Sequence, residues 1–114
     1  MKKLLLLLLG AGLILGMALP CFGAGDRPFV IDVRTEAEWN RGHLEGAILI
    51  PYDGIGEKIG SVAKDKAGRI YVYCRSGRRS QIAKETLLKL GYKDVVNLGS
   101  LEEAAKTMKR KIVK

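Results

Sequence analysis

Short apolar segments alternate with segments of helical character along this chain, and that alternation restricts the folds open to it. Buried strands are predicted for the mostly apolar runs, which are Phe29 to Val33, Ala47 to Ile50, Ile70 to Tyr73 and Val95 to Leu98. Helices are predicted between and after them, at about residues 36–41, 55–62, 80–90 and 101–109. Strands separated by helices favour a parallel sheet with right-handed crossovers. The predicted fold class is therefore α/β, an open parallel sheet with helices on both faces.

Local signals set the boundaries of the predicted helices. Thr35 and Glu38 have the spacing of a capping box, so a helix should begin directly after Thr35. Trp39 on that helix is expected to be a core anchor. Isoleucine and valine recur at three- and four-residue steps in residues 55–62, which indicates a helix despite the glycines there. Gly91 is expected to end the following helix.

The first 23 residues have the features of a secretory signal. Lys2 and Lys3 give a positive start, Leu4 to Leu19 form an apolar stretch, and small residues at Cys21 and Gly23 favour cleavage after Gly23. The alternative is an uncleaved membrane anchor, but this stretch is shorter than the about 20 residues that span a bilayer. We therefore expect export, to the periplasm. The predicted organisation is a signal peptide at 1–23, a short linker at 24–28, one domain at 29–109 and a basic tail at 110–114.

The charge of the chain bears on its partners. The formal net charge is +8, and removal of Lys2 and Lys3 with the signal leaves 18 basic and 12 acidic residues, or +6. A basic surface can bind nucleic acid or acidic lipid, but no nucleic-acid motif accompanies the charge. We expect the positive field to attract small anions, and Lys109-Arg110-Lys111 to be a solvated chain end rather than a membrane-binding patch. No nucleic acid, no stable membrane association after signal cleavage and a monomeric state are expected.

Cys74 opens the segment Cys74-Arg75-Ser76-Gly77-Arg78-Arg79-Ser80, between a predicted strand and a predicted helix. The thiolate is the reactive form of cysteine, and its pKa falls near cationic side chains and at helix N-termini. The same backbone N–H groups and guanidinium groups suit a small oxyanion. In open α/β sheets, ligands bind at the carboxyl ends of the strands. We therefore interpret the segment as an active site rather than as a buried structural cysteine beside solvated arginines.

Cysteine usage supports that interpretation. The other cysteine, Cys21, lies in the predicted signal, so Cys74 would have no partner for a disulfide in the exported chain. An unpaired thiol in an oxidising compartment is open to oxidation, so its presence favours a functional role for Cys74. With one cysteine and one histidine, His43, a Cys-x-x-Cys exchange and a zinc site are excluded. No metal or cofactor is implied.

Four segments of the chain together form a recognisable pattern. Val30 to Arg34 is a predicted strand that ends in Asp-x-Arg, Gly42 to Pro51 has the sequence GHLEGAILIP, and Gly91 to Gly99 begins with Gly-Tyr. The fourth segment is the six-residue loop from Cys74 to Arg79, which is one residue shorter than the loop of cysteine phosphatases. These segments resemble the first strand, the G-H-I-x-G-A-x-x-I-P segment, the closing Gly-Tyr strand and the six-residue loop of the rhodanese family of sulfurtransferases. The resemblance covers about residues 29 to 101 and is greatest to small periplasmic rhodaneses of the phage-shock type.

The resemblance implies a thiosulfate sulfurtransferase. Cys74 would take the sulfane sulfur of a small anionic donor, form a persulfide and pass the sulfur to a thiophilic acceptor, cyanide or a thiol. Asp32, Arg34 and His43 are expected to have structural roles. Two alternatives stay open: a persulfide carrier or sulfur sensor that serves a protein partner, and a phosphatase- or arsenate-type anion enzyme, which the shorter loop disfavours. The candidate substrate-binding residues are Arg75, Ser76, Gly77, Arg78, Arg79 and Ser80.

Overall fold

The computed structural model describes residues 28–114. Its strands are β1 (Phe29–Asp32), β2 (His43–Leu44), β3 (Ile48–Leu49), β4 (Arg69–Cys74), β5 (Asp94–Ser100) and β6 (Ile112–Val113). Its helices are α1 (Glu36–Arg41), α2 (Ile55–Val62), α3 (Arg78–Lys89) and α4 (Leu101–Met108), and a short 3-10 turn precedes α2 at Tyr52–Gly54. The predicted signal peptide and all but the last residue of the predicted linker lie outside the described residues. Within residues 28–114, each helix is too short or too polar to cross a bilayer.

Four strands form a parallel sheet in the order β3-β1-β4-β5. The two central strands, β1 and β4, pair from Phe29 opposite Ile70 to Asp32 opposite Tyr73. Because all four strands run in the same direction, the loops that follow them meet at one edge of the sheet. The structure thus confirms the α/β fold class and the open parallel sheet.

Alternate residues of each strand pack against opposite faces of this sheet. Helices α2 and α3 cover one face, whose buried core includes Ile31, Ile55, Ile59, Val72, Cys74, Ala83 and Leu87. Helix α4 covers the other face, whose buried core consists of Val30, Leu44, Tyr73, Leu98, Leu101 and Ala104. Helices on both faces are therefore confirmed.

Capping boxes begin two of the helices near the carboxyl edge of the sheet. The Glu38 N–H donates to Thr35 Oγ1 at 3.2 Å, and the Thr35 N–H donates to Glu38 Oε1 at 3.0 Å, as the sequence predicts. Ser100 and Glu103 form the same arrangement at the start of α4. Each box satisfies backbone N–H groups that a helix start leaves without partners, so both helices begin abruptly beside the strand ends.

Two local predictions were wrong. Helix α3 begins at Arg78 rather than at Ser80, because Gly77, with a φ of 99°, turns the chain from the loop into the helix within one residue. Trp39 is not a core anchor, since it is only half-buried and helix α1 has no buried residue. Its ring instead stacks on His43, with the ring centroids 3.5 Å apart.

The segment predicted as a basic tail, residues 110–114, is not a free chain end. Its strand β6 pairs antiparallel with β2. The Glu45 N–H also donates to the Lys111 carbonyl oxygen at 2.9 Å. Ile112 and Val113 are β-branched and suit a strand. The three basic residues just before them led to the prediction of a tail instead. The expectation of a free chain end was therefore wrong, although Lys109 and Lys111 are exposed to solvent as expected.

Candidate active site

Cys74 is the last residue of β4 and lies at the carboxyl edge of the sheet. Its exposed fraction is 0%, and it packs on the face of the sheet that α2 and α3 cover. The loop after it is only three residues long, Arg75 to Gly77, because α3 begins at Arg78. The sulfur therefore lies between the end of a strand and the beginning of a helix.

Two donors of the loop and helix start approach the sulfur. The Gly77 N–H donates to Cys74 Sγ at 2.9 Å, and Ser80 Oγ lies 3.3 Å from Sγ. The left-handed φ of Gly77 is one that side-chain-bearing residues rarely adopt. The sequence motif thus places a glycine and a serine around the sulfur of the predicted nucleophile.

The surroundings of the sulfur favour its ionised form. Burial is the largest single influence on the pKa of Cys74, and by itself it would raise that pKa. Hydrogen bonds from the Ser80 hydroxyl and from the N–H groups of Ser80, Gly77 and Ser76 act in the opposite direction and together outweigh burial. The pKa of Cys74 therefore lies below its usual value, which increases the thiolate fraction at neutral pH.

The three arginines of the motif differ in their surroundings. Arg79 binds the Glu38 carboxylate through both of its terminal nitrogens, each at 2.9 Å, and so joins α3 to α1. The hydrogen bond from Arg79 is the main reason that the pKa of Glu38 is lowered to about 2. Arg75 and Arg78 are exposed. The guanidinium of Arg79 is therefore engaged in an ion pair with Glu38, whereas the side chains of Arg75 and Arg78 are exposed to solvent.

An open pocket with a volume of about 410 Å³ lies beside the loop. It is lined by Arg34, Glu38, Arg41, Gly42, Arg75, Leu101, Glu102 and Ile112. Cys74 does not line the pocket, but two lining residues connect the pocket to the motif: Arg75 follows Cys74 in the chain, and Glu38 binds Arg79. Arg75 is thus the arginine of the loop whose side chain lines this pocket.

Asp32 and Arg34 form a buried ion pair beneath this edge of the sheet. Arg34 Nη2 lies 2.7 Å from Asp32 Oδ2 and also donates to the Gly42 carbonyl oxygen at 2.7 Å. The Tyr73 hydroxyl donates to Asp32 at 2.8 Å and accepts from the Leu44 N–H at 2.9 Å. The pair therefore ties β1, β4 and the segment before β2 together, and this confirms the structural role expected for Asp32 and Arg34.

His43 likewise lies in a structural contact. Its Nδ1 is 3.0 Å from the Trp39 carbonyl oxygen at the end of α1, and its ring stacks on Trp39. Among residues 28–114, no three side chains of His, Cys, Asp or Glu come together as a metal site. The expectation that the site works without a metal or cofactor stays a prediction.

Asn97 is a residue of this site that the sequence reasoning missed. Its Oδ1 accepts hydrogen bonds from Ser80 Oγ at 2.7 Å and from the Gly99 N–H at 2.9 Å. Its Nδ2 donates to the Gly77 carbonyl oxygen at 3.1 Å. The available signal was an amide side chain inside the apolar run Val95 to Leu98, because a partly buried amide requires hydrogen-bond partners.

The chain is similar to known proteins over most of its length. Residues 22–107 match the profile of the Rhodanese-like domain. Over 93 residues the chain is 40% identical to the thiosulfate sulfurtransferase PspE of Escherichia coli (strain K12), a match that covers 82% of this chain and 86% of PspE. Over 69 residues it is 33% identical to the putative sulfur carrier protein YrkF of Bacillus subtilis (strain 168), covering 60% of this chain and 36% of YrkF. Among solved structures, a rhodanese with anions from E. coli superimposes with a TM-score of 0.71 and 38% identity, covering 77% of this chain and 99% of that one.

Proposed function

This chain belongs to the family of rhodanese-like sulfurtransferases, and on that premise we propose that it is a thiosulfate sulfurtransferase that works through a persulfide on Cys74. The observation that carries the proposal is the hydrogen bond from the Gly77 N–H to the buried sulfur at 2.9 Å. It places a backbone donor on the atom that must be negatively charged to react. The similarity to PspE, a protein named for thiosulfate sulfur transfer, supports the choice of donor.

The proposed reaction has two steps. In the first, the Cys74 thiolate attacks the outer sulfur of thiosulfate, a new sulfur–sulfur bond forms, and sulfite leaves with the electron pair of the bond that breaks. In the second, cyanide or a thiolate attacks the outer sulfur of the persulfide and regenerates the Cys74 thiolate. Charge balances in both steps. No general base is required, because the nucleophile enters the reaction already ionised.

Arg75 is the best candidate to bind the sulfonate end of the donor. It follows Cys74 directly and lines the open pocket together with Arg41, whereas Arg79 is engaged by Glu38. The N–H groups of Ser76, Gly77 and Ser80, together with the Ser80 hydroxyl, are proposed to stabilise the sulfur charge in the thiolate and in the persulfide. Arg78 is exposed at the start of α3 and is proposed to contribute only to the general positive field.

A mass measurement of thiosulfate-treated protein tests the central step. The proposal expects the peptide that contains Cys74 to gain one sulfur atom, and the gain to disappear when cyanide is added, with thiocyanate as the product. Cys74→Ser should abolish both the gain and the turnover, while Cys21→Ser in the uncleaved chain, a matched control at the other cysteine, should leave them unchanged. An active Cys74→Ser protein would refute the assignment.

A persulfide carrier is the second candidate, because the chain is also similar to the putative sulfur carrier protein YrkF. A carrier would hold the same persulfide but deliver it to a protein partner. The number of turnovers separates the two functions. An enzyme converts many equivalents of thiosulfate to thiocyanate per chain, whereas a carrier releases a single sulfur atom per chain.

We further propose that the protein acts after export, as a monomer, on a small anionic donor and a thiophilic acceptor. The basis for export is the sequence of residues 1–23, and the basis for a small donor is the short loop that follows the buried Cys74. Fractionation of cells into periplasm and cytoplasm tests the location. Hydrolysis of an aryl phosphate by the purified protein would favour the phosphatase-type reaction instead.

A further inference from the structure

We propose that Asn97 is a positioning residue for sulfur transfer, whose side-chain amide binds the Gly77 carbonyl oxygen and so holds Gly77 in the backbone conformation that directs its N–H to the Cys74 thiolate. The inference rests on the proposed function, since it concerns how the nucleophile of that reaction is prepared. Asn97 lies on β5, and its side chain connects that strand to the loop after β4.

The orientation of the Asn97 amide is determined by its backbone partners. The Gly99 N–H can only donate, so the atom facing it at 2.9 Å has to be the amide oxygen. The Gly77 carbonyl oxygen can only accept, so the atom facing it at 3.1 Å has to be the amide nitrogen. The oxygen of Asn97 therefore faces the Ser80 hydroxyl, 2.7 Å away.

The Ser80 hydroxyl has one proton and three oxygen or sulfur atoms within reach. The Gly77 carbonyl oxygen is 3.1 Å away, but the Gln81 N–H at 3.0 Å and Asn97 Nδ2 at 3.1 Å already occupy its two lone pairs. Two acceptors are left, Asn97 Oδ1 and Cys74 Sγ. By occupying the Gly77 carbonyl oxygen, Asn97 thus limits the hydroxyl proton to its own oxygen or the sulfur.

These two acceptors correspond to the two protonation states of Cys74. When the sulfur is protonated, its hydrogen points to Ser80 Oγ, and the hydroxyl proton points to Asn97. When the sulfur is ionised, the hydroxyl proton turns to Sγ, because a hydrogen bond to a charged acceptor is about twice as strong as one to a neutral acceptor. Asn97 Oδ1 accepts the hydroxyl proton only in the first state, whereas Asn97 Nδ2 holds the Gly77 carbonyl oxygen in both, so ionisation requires only the rotation of one hydroxyl beside a fixed loop.

The charged groups near the loop act separately from this amide. Among residues 28–114 they are Asp32 with Arg34, Glu38 with Arg79, and Arg41, Arg75, Arg78, Glu102 and Glu103. In the part of the chain that the structure describes, the four residues that Asn97 hydrogen-bonds are uncharged: Gly77, Ser80, Gln81 and Gly99. An uncharged substitution at Asn97 therefore changes the hydrogen bonding around the sulfur and leaves those charges in place.

The test is the pH dependence of Cys74 alkylation by iodoacetamide in Asn97→Ala. Without the Asn97 amide, the protonated form of Cys74 loses little stabilisation, because the Gly77 carbonyl oxygen becomes free to accept a hydrogen bond from the Ser80 hydroxyl. The thiolate loses the aligned donors of the loop, so the midpoint of the alkylation profile should rise by about 0.5 to 1 pH unit, the equivalent of about one net hydrogen bond. The reaction is read on the peptide that contains Cys74, so that Cys21 does not contribute. Gln81→Ala, the matched control, removes the remaining side-chain partner of Asn97, 3.3 Å away, and should leave the midpoint unchanged.

Two further variants keep the test decisive. Asn97→Asp retains an oxygen for Gly99 and Ser80 but turns a carboxylate oxygen toward the Gly77 carbonyl, so it should raise the midpoint more than Asn97→Ala does. In a Ser80→Ala background, Asn97→Ala should still raise the midpoint, because Asn97 Nδ2 holds the Gly77 carbonyl oxygen whether or not the hydroxyl is present. A native or lowered midpoint in Asn97→Ala, in either background, would overturn the proposal. Alkylation consumes no thiosulfate, so this result does not depend on whether the chain transfers sulfur.

Discussion

Glu38→Gln should destabilise the protein at neutral pH, and the loss should fade in acid. The Glu38 carboxylate binds both terminal nitrogens of Arg79 at 2.9 Å and joins α1 to the helix that begins at the active-site loop. Glutamine at the same position of a capping box can still accept from the Thr35 N–H. The substitution therefore removes the ion pair and keeps the start of α1.

The expected magnitude follows from the pKa of Glu38, which is lowered from 4.5 to about 2, chiefly by the hydrogen bond from Arg79. A pKa unit corresponds to about 1.4 kcal/mol, so the whole shift sets an upper limit of about 3 kcal/mol. The Glu38 and Arg79 side chains are 13% and 19% exposed, so water weakens their interaction, and we expect a loss of about 1 to 2 kcal/mol at pH 7. A carboxyl whose pKa is lowered by folding stabilises the protein above its unfolded pKa. That stabilisation is lost as the pH falls from about 4.5 toward 2.

Urea unfolding followed by tryptophan fluorescence measures this difference, because Trp39 is the single tryptophan and lies next to Glu38 in the chain. The free energies of unfolding of the native chain and the variant are compared from pH 7 down to the lowest pH at which both are folded. Glu36→Gln, which removes the same charge from the same turn of α1, is the matched control and should cost much less. A loss for Glu38→Gln that is equally large at pH 7 and in acid would refute the assignment to the ion pair.

Two further predictions concern the loop. Arg75→Ala should raise the KM for thiosulfate about tenfold with little change in kcat, because one hydrogen bond to the charged donor is lost, and steady-state thiocyanate formation measures it. Arg78→Ala, the matched exposed arginine, should change that KM less than about twofold, and the opposite ranking would place the donor at Arg78. Gly77→Ala should destabilise the protein by about 1 to 2 kcal/mol in urea unfolding, because its φ of 99° strains a residue with a side chain. Unchanged stability would show that the loop relaxes around a side chain at Gly77.

The sheet and its helices were predictable because their signals are local. The strands of the sheet are built on mostly apolar runs, and the Thr35–Glu38 capping box marks the start of α1 within the sequence itself. The two-residue strand β6 was not predictable, because it forms only by pairing with another two-residue strand distant in sequence. The start of α3 depends on the backbone conformation of Gly77, and residue type alone does not determine that conformation.

The motif around Cys74 was predictable as a group of residues, but not as a set of contacts. The glycine and serine of the motif lie close to the sulfur, as nearness in sequence suggested. Arg79 was a candidate ligand of the substrate, and only the fold shows that Glu38, 41 residues earlier, binds it. Asn97 meets Ser80 across 17 residues for the same reason. Contacts between elements depend on packing, and a single sequence does not carry that information.

The position of Asn97 on the outer strand β5 has a consequence for the newly made chain. Strand β5 follows β4 and α3 in the chain, so the Asn97 amide reaches Gly77 and Ser80 only after β5 has docked beside β4. Until then Cys74 ionises as a cysteine in an unstructured peptide does, with most of it protonated at neutral pH. On the proposed role of Asn97, the thiolate gains its full stabilisation only once β5 has docked, and a chain that ends before β5 keeps a less reactive thiol.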